Sequence, residues 1–139
     1  MINDIIDGLS VALYDAFPSC KIYSEQIKQG LEEPCFLITV ISSLEKQLLK
    51  DRVQRDIQFD VLYFTKNDNT ERQSVASDLY QLFKFVPLLD GSLIKGWSLS
   101  HDIVDGVLHF RVTFKPILRP VPGDVTKMHD YKLTEHIGG

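Results

Sequence analysis

The segment SLSHDIVDGVLHFRVTF, Ser98 to Phe114, constrains the fold more than any other part of the chain. Two alternating runs meet at Asp105-Gly106. A type I′ turn needs positive φ at both central residues, and Asp-Gly supplies it at low cost. With a two-residue loop the register follows: Val104 opposes Val107, Ile103 Leu108, Asp102 His109, His101 Phe110, and Ser100 Arg111. Continued regularly, Leu99 opposes Val112, Ser98 Thr113 and Trp97 Phe114. Side chains alternate along a strand, so the register assigns each to a face. One face holds Ile103, Leu108, Phe110, Leu99, Val112, Trp97 and Phe114. The other holds Asp102, His109, Ser100, Arg111, Ser98 and Thr113. His101 is the polar misfit on the apolar face.

Two chemical readings of this hairpin compete. Asp102 opposite His109 has the look of the orienting half of a catalytic triad. It is equally a cross-strand charge pair, contributing roughly 0.2–1 kcal/mol. No nucleophile stands in a suitable context: GxSxG is absent, and Cys35 lies inside the apolar run CFLITVI. The charge pair is therefore favoured, and His101 is read as a hydrogen-bonded or edge histidine. His129 and His136 match no metal spacing. GxGxxG and GxxxxGK[ST] are also absent, so no catalytic, metal or cofactor site is expected.

The other elements follow from periodicity. Ile2, Ile5, Ile6, Leu9, Leu13, Ala16 and Phe17 form a helical stripe, with Asn3 as the expected cap and Pro18 as the stop. CKIYSEQI, from Cys20, is a short strand candidate. CFLITVI, Cys35 to Ile41, is apolar on both faces and reads as a central strand. Ser42 to Arg52 reads as an extended loop or the tip of a long hairpin. From Val53, VQRDIQFDVLYF alternates, with Val53, Arg55, Ile57, Phe59, Val61 and Tyr63 on one side. Thr70 with Gln73 forms a capping-box pattern, and Val75, Leu79, Leu82, Phe83 and Val86 give a second helical stripe before Pro87. Beyond Pro120 the periodicity is lost. The predicted organisation is a single domain over residues 1–119 and a C-terminal arm over 120–139. The expected class is α+β: a mostly antiparallel, or mixed, sheet with both helices packed on one face.

A chain of 139 residues is long enough to bury a core without disulfide or metal. Its net charge of −4, with mixed signs, argues against a dedicated nucleic-acid binder. Two cysteines give no thiolate zinc set, and a reducing compartment is the default. The N-terminus lacks the pattern of a signal peptide, and no stretch approaches the ~20 apolar residues that span a bilayer. A soluble protein made in the cytoplasm is expected. The Ser43–Arg52 segment is locally basic through Lys46, Lys50, Arg52 and Arg55, yet carries Leu44, Leu48 and Leu49. Apolar residues in an exposed polar segment want cover, which makes the segment a candidate interface.

Four segments in order carry a family resemblance: MINDIIDGLSVALYDAF, EEPCFLITVI, RDIQFDVLYF and DIVDGVLHFRVTF. Over roughly residues 1–118 the chain resembles the small tail terminator proteins of bacteriophages, in the branch from tailed phages and phage-tail-like particles of Gram-positive bacteria. The resemblance implies an α/β sandwich with an assembly role and no enzymatic activity. It implies a ring of subunits, typically six, that caps the tail tube, ends its polymerisation and joins the tail to the head. The implied partners are further copies of the chain, the tail tube protein, a head-tail connector or neck protein, and the sheath protein if the tail contracts. DNA would pass through the channel without specific binding, and the protein would sit at the neck end of the virion tail after assembly in the host cytoplasm. Candidate contact residues are Leu44, Lys46, Leu48, Leu49, Lys50, Arg52, Arg55 and, in the arm, Tyr131. Another neck component, or a small enzyme using Asp102 and His109, are the alternatives.

Overall fold

The computed structural model describes residues 2–24, 30–120 and 131–134. In chain order the elements are α1 (Ile2–Ala16), β1 (Lys21–Tyr23), β2 (Cys35–Gln47), β3 (Val53–Phe64), α2 (Asn69–Leu82), β4 (Phe85–Pro87), β5 (Leu93–Val104), β6 (Val107–Phe114), β7 (Ile117–Pro120) and β8 (Tyr131–Thr134). The class is α+β. The main sheet runs β1-β2-β3-β6-β5-β4, and β7 joins β3 and β8. It is mixed, because β1 lies parallel to β2 while the other pairs are antiparallel. A parallel neighbour needs a long return connection, and the link from Tyr23 to Cys35 has that length.

β3 is the axis of the sheet. β2 fills one edge, and β6 followed by β7 fills the other without a change of register. Where Pro116 interrupts the partner strand, the Arg55 N–H donates to its carbonyl (3.0 Å), so the ladder continues. The alternation read from the sequence holds: Val53, Ile57, Phe59, Val61 and Tyr63 are buried. All but Val53 join one cluster with Leu108, Phe110, Val112 and Phe114 of β6, Ile5, Leu9 and Leu13 of α1, and Val75, Ala76 and Leu79 of α2. Aromatic edges meet faces inside it, with Phe59 5.8 Å from Phe114 and Phe83 5.7 Å from Phe110.

The β5–β6 hairpin has the predicted register from Val104–Val107 down to Ser100–Arg111. It then departs. Ser98 adopts φ +55°, and the ladder slips between Trp97 and Ser100. The expected Ser98–Thr113 and Trp97–Phe114 pairs are replaced by Trp97 opposite Thr113 and Gly96 opposite Phe114. A one-residue slip sends side chains to the other face. Trp97 therefore leaves the apolar face and is 40% exposed, with the Lys95 and Lys115 ammonium groups 4.1 and 4.7 Å from its ring centre. Gly96 takes the inward place, where a Cβ would collide with the Phe83 carbonyl and crowd Val112. Glycine permits that close approach, which its neighbours in the sequence do not reveal.

Three smaller expectations are corrected. Asn3 lies inside α1 rather than at its cap, since Ile2 is already helical. α2 is capped by Asp68, whose carboxylate accepts from the Glu71 N–H (3.1 Å), and not by Thr70 with Gln73. Glu71 turns to the Thr65 hydroxyl (2.8 Å) instead. The helix also ends at Leu82, and Val86 belongs to the edge strand β4. An inward Val86 satisfies a helical and a strand period alike, and an edge strand tolerates Pro87. Within the arm, Tyr131–Thr134 forms β8 on β7, and residues 121–130 and 135–139 lie outside the described residues.

The Gly96 contact generates a direct test. Gly96→Ala is expected to destabilise the protein by about 1–3 kcal/mol, the cost typical of overpacking, read as a lowered urea midpoint with unchanged slope.

Candidate assembly interface

The segment from Ser42 to Arg52 is a strand arm and a turn, the second of the two readings open from sequence. β2 continues to Gln47, opposite Val53. The chain reverses over Leu49–Arg52, where Lys50 (φ 60°) and Asp51 (φ 62°) are both left-handed and the Arg52 N–H donates to the Leu49 carbonyl (3.4 Å). These φ signs give the twist of a primed hairpin turn without glycine. One ladder thus brings together Leu44, Lys46, Leu48, Leu49, Lys50, Arg52 and Arg55. Tyr131 is placed elsewhere, in β8 with its backbone opposite Pro120.

The charges on this hairpin are largely engaged within it. Arg55 Nε is 2.9 Å from the Glu45 carboxylate directly across the ladder. Lys46 Nζ is 3.2 Å from Asp56. Arg52 Nε donates to the Leu49 carbonyl (3.4 Å). Exposed pairs of this kind contribute about 0–1 kcal/mol, so they shape the hairpin more than they stabilise it. What the hairpin leaves uncovered is apolar. Leu49 at the tip is 81% exposed and Leu44 57%, and Val40 and Ile41 are exposed as well. The sequence reading placed Val40 and Ile41 in a strand covered on both sides. Only Cys35–Ile38 is so covered, and β1 pairs with no more than Cys35–Leu37. An apolar run alone cannot report how far its neighbour extends.

On the polar face of the β5–β6 hairpin, the Asp102–His109 charge pair expected from the register is not made. Asp102 and His109 are opposite in register, but their side chains turn away from each other. Asp102 accepts from Arg111 (3.1 Å), while His109 Nδ1 lies 3.0 Å from Asp60 Oδ2 on β3. Asp60 is buried, and a buried carboxylate needs a partner more than an exposed one does. Sequence could not show this pairing, since it joins strands 49 residues apart. His101 is held at both ring nitrogens from α2, by the Tyr80 hydroxyl (2.7 Å) and Gln73 Oε1 (2.9 Å), which is the hydrogen-bonded reading. Cys35 is fully buried, and burial pushes its thiol up to about 11, aided by the nearby Glu33 and Cys20. It behaves as a small hydrophobe. An open groove between α1 and β1 is lined by Val11, Tyr14, Pro18, Ile22 and Tyr23, and none of the polar residues above lines it. No described helix is long and apolar enough to cross a membrane.

Asp56 provides a handle on hairpin integrity. Partial burial raises its pKa, but the Gln54 amide and Lys46 outweigh this, and the net shift is downward. A depressed carboxylate stabilises the fold above its unfolded pKa, and that contribution disappears as pH falls through the folded value. Lys46→Met should therefore move the Asp56 midpoint upward in a carboxyl NMR titration. It should also reduce the acid-induced loss of hairpin amide protection below about pH 4.

A family model described as phage tail terminator protein matches residues 4–122. No curated protein matches the chain at a significant level. The match spans α1 through β7, the whole main sheet included. The chain belongs to the phage tail terminator protein family.

Proposed function

We propose that the protein is a structural, non-enzymatic terminator that assembles as a ring, six copies by family resemblance, on the last ring of the tail tube. There it stops tube polymerisation and presents the surface that receives the head-side connector or neck protein. In this reading both helices lie on one face of the sheet, supported by their shared cluster with β3 and β6. The Gram-positive branch of the family, a sheath contact in contractile tails, passage of DNA through the channel, and a place at the neck end after cytoplasmic assembly belong to the same reading.

The observation that carries it, beside the family match, is the β2–β3 hairpin. From Ser42 to Gln47 it is stiffened by an unbroken ladder and by two cross-strand ion pairs, yet it shows Leu44 and Leu49 to solvent. A rigid arm with an uncovered apolar tip suits contact with another subunit or with the tube end. The enzymatic alternative loses its geometry, because Asp102 and His109 do not pair.

The test is assembly. Purified protein added to polymerising tube protein should give capped tubes of shorter mean length. The double variant Leu44→Asp, Leu49→Asp should keep its thermal midpoint and lose capping. Tails from a phage lacking the protein should be overlong or headless by cryo-electron microscopy. Tails of normal length with heads attached would contradict the proposal.

A further inference from the structure

Among the described residues the main sheet has two long edges with no strand beside them. β1 pairs only with Cys35–Leu37, and among the described residues no strand lies on that edge of β2 from Ile38 to Gln47. At the other side, β4 pairs with Leu93–Lys95, and the Gly96 N–H donates to the Lys84 carbonyl (2.9 Å). From Trp97 to Val104 no described strand lies on that edge of β5. An unpaired edge exposes a row of backbone donors and acceptors, and natural proteins usually shorten such edges or place proline or lysine on them. Neither run contains proline, and Lys46 is the sole lysine in the two. Both instead show large apolar side chains, Val40, Ile41 and Leu44 on β2 and Trp97 and Val104 on β5.

The two edges also fit one another. β2, β3, β6 and β5 are successive antiparallel neighbours, so β2 and β5 run in opposite directions. A second copy brought alongside by a rotation that keeps the strand direction presents its β5 antiparallel to β2. β1 covers the N-terminal end of the β2 edge, and β4 covers the N-terminal end of the β5 edge. In an antiparallel pair these ends lie apart, so neither short strand obstructs the other's free run. The free runs are of similar length. Each carries one ladder irregularity, between Val40 and Ser42 and between Trp97 and Ser100. Such bulges bend a strand and supply the curvature that closure of a sheet requires.

We infer that the β2 edge over Ile38–Gln47 of one copy pairs antiparallel with the β5 edge over Trp97–Val104 of the next, so that one sheet continues from subunit to subunit. The occupant of each edge is thus a second copy of this chain. The contact is heterologous and leaves a bare edge at each end of any open assembly until rotation closes it. Pairing of β2 with β2, or β5 with β5, would stop at a dimer with the other edge uncovered. The inference rests on the ring proposed above and specifies the surfaces that make it.

Cysteine cross-linking separates the two levels. Chains carrying Ser42→Cys or Ser43→Cys combined with Ser98→Cys or Ser100→Cys are assembled, oxidised and run on a denaturing gel. The native cysteines are buried and stay silent. At least one combination should give a covalent ladder ending at the ring number found by native mass spectrometry, while each single variant stays monomeric. Dimers from a single variant would mean like-edge pairing and overturn the inference. A ring without a ladder from any combination would overturn it and leave the terminator reading standing. Failure of the wild-type protein both to ring and to cap tubes would remove that reading, and this one with it. Amide exchange on the unmodified protein is the second measurement. Both runs should gain protection together on assembly, and a ring in which either run exchanges as in the monomer overturns the inference.

Discussion

Everything in this structure is referred to β3. Its backbone is hydrogen-bonded along both edges, to β2 on one side and to β6 and β7 in a single register on the other. A strand held on both sides cannot slip without breaking two ladders and turning its buried set outward. Of that set, Ile57, Phe59, Val61 and Tyr63 share one buried cluster with the apolar residues of α1 and α2. The order of the sheet, the position of the helices and the direction of the β2–β3 arm all follow from that one doubly paired strand.

The polar groups on the sheet show how burial ranks competing partners. His109 faces Asp102 across its own hairpin and yet bonds Asp60, the more deeply buried carboxylate. Arg111, longer and more exposed, takes Asp102. A side chain already in the interior has no water to fall back on, so it claims the nearest donor first. The same logic fixes His101 between Tyr80 and Gln73, where it ties α2 to β5. These histidines tie neighbouring elements together.

The family match and the architecture meet at the uncovered surfaces. In the proposed reading the protein works through contacts with copies of itself and with other tail components, and the exposed apolar residues are the surface it would use for them. The β2–β3 hairpin engages its ion pairs within itself and leaves Leu44 and Leu49 exposed. The flanking strands β1 and β4 are only three residues long, and among the described residues they leave most of β2 and β5 unpaired on their outer sides.

Periodicity was enough to read α1, β3 and the Asp105-Gly106 hairpin, because each depends on local rules: a stripe at helical spacing, strict alternation, and a turn that only certain residues adopt. The sequence also implied that Leu44, Leu48 and Leu49 sit in a polar, projecting segment, and it carried the family resemblance. Other features depended on residues far apart in the chain. The slip at Ser98 moved Trp97 outward because Phe83 and Val112 leave room only for Gly96, and nothing near Trp97 in the sequence mentions Phe83. The cap of α2 is Asp68 rather than Thr70: the helix already includes Thr70, and the Gln73 expected to complete the box bonds His101 on β5. Val40 and Ile41 are as apolar as Ile38, but β1 ends before it reaches them. Local sequence therefore determined which segments are strands and helices and which face each presents. Only the tertiary structure decided which edges and side chains remain uncovered, since exposure depends on where a neighbour stops, and a local pattern does not contain its neighbour.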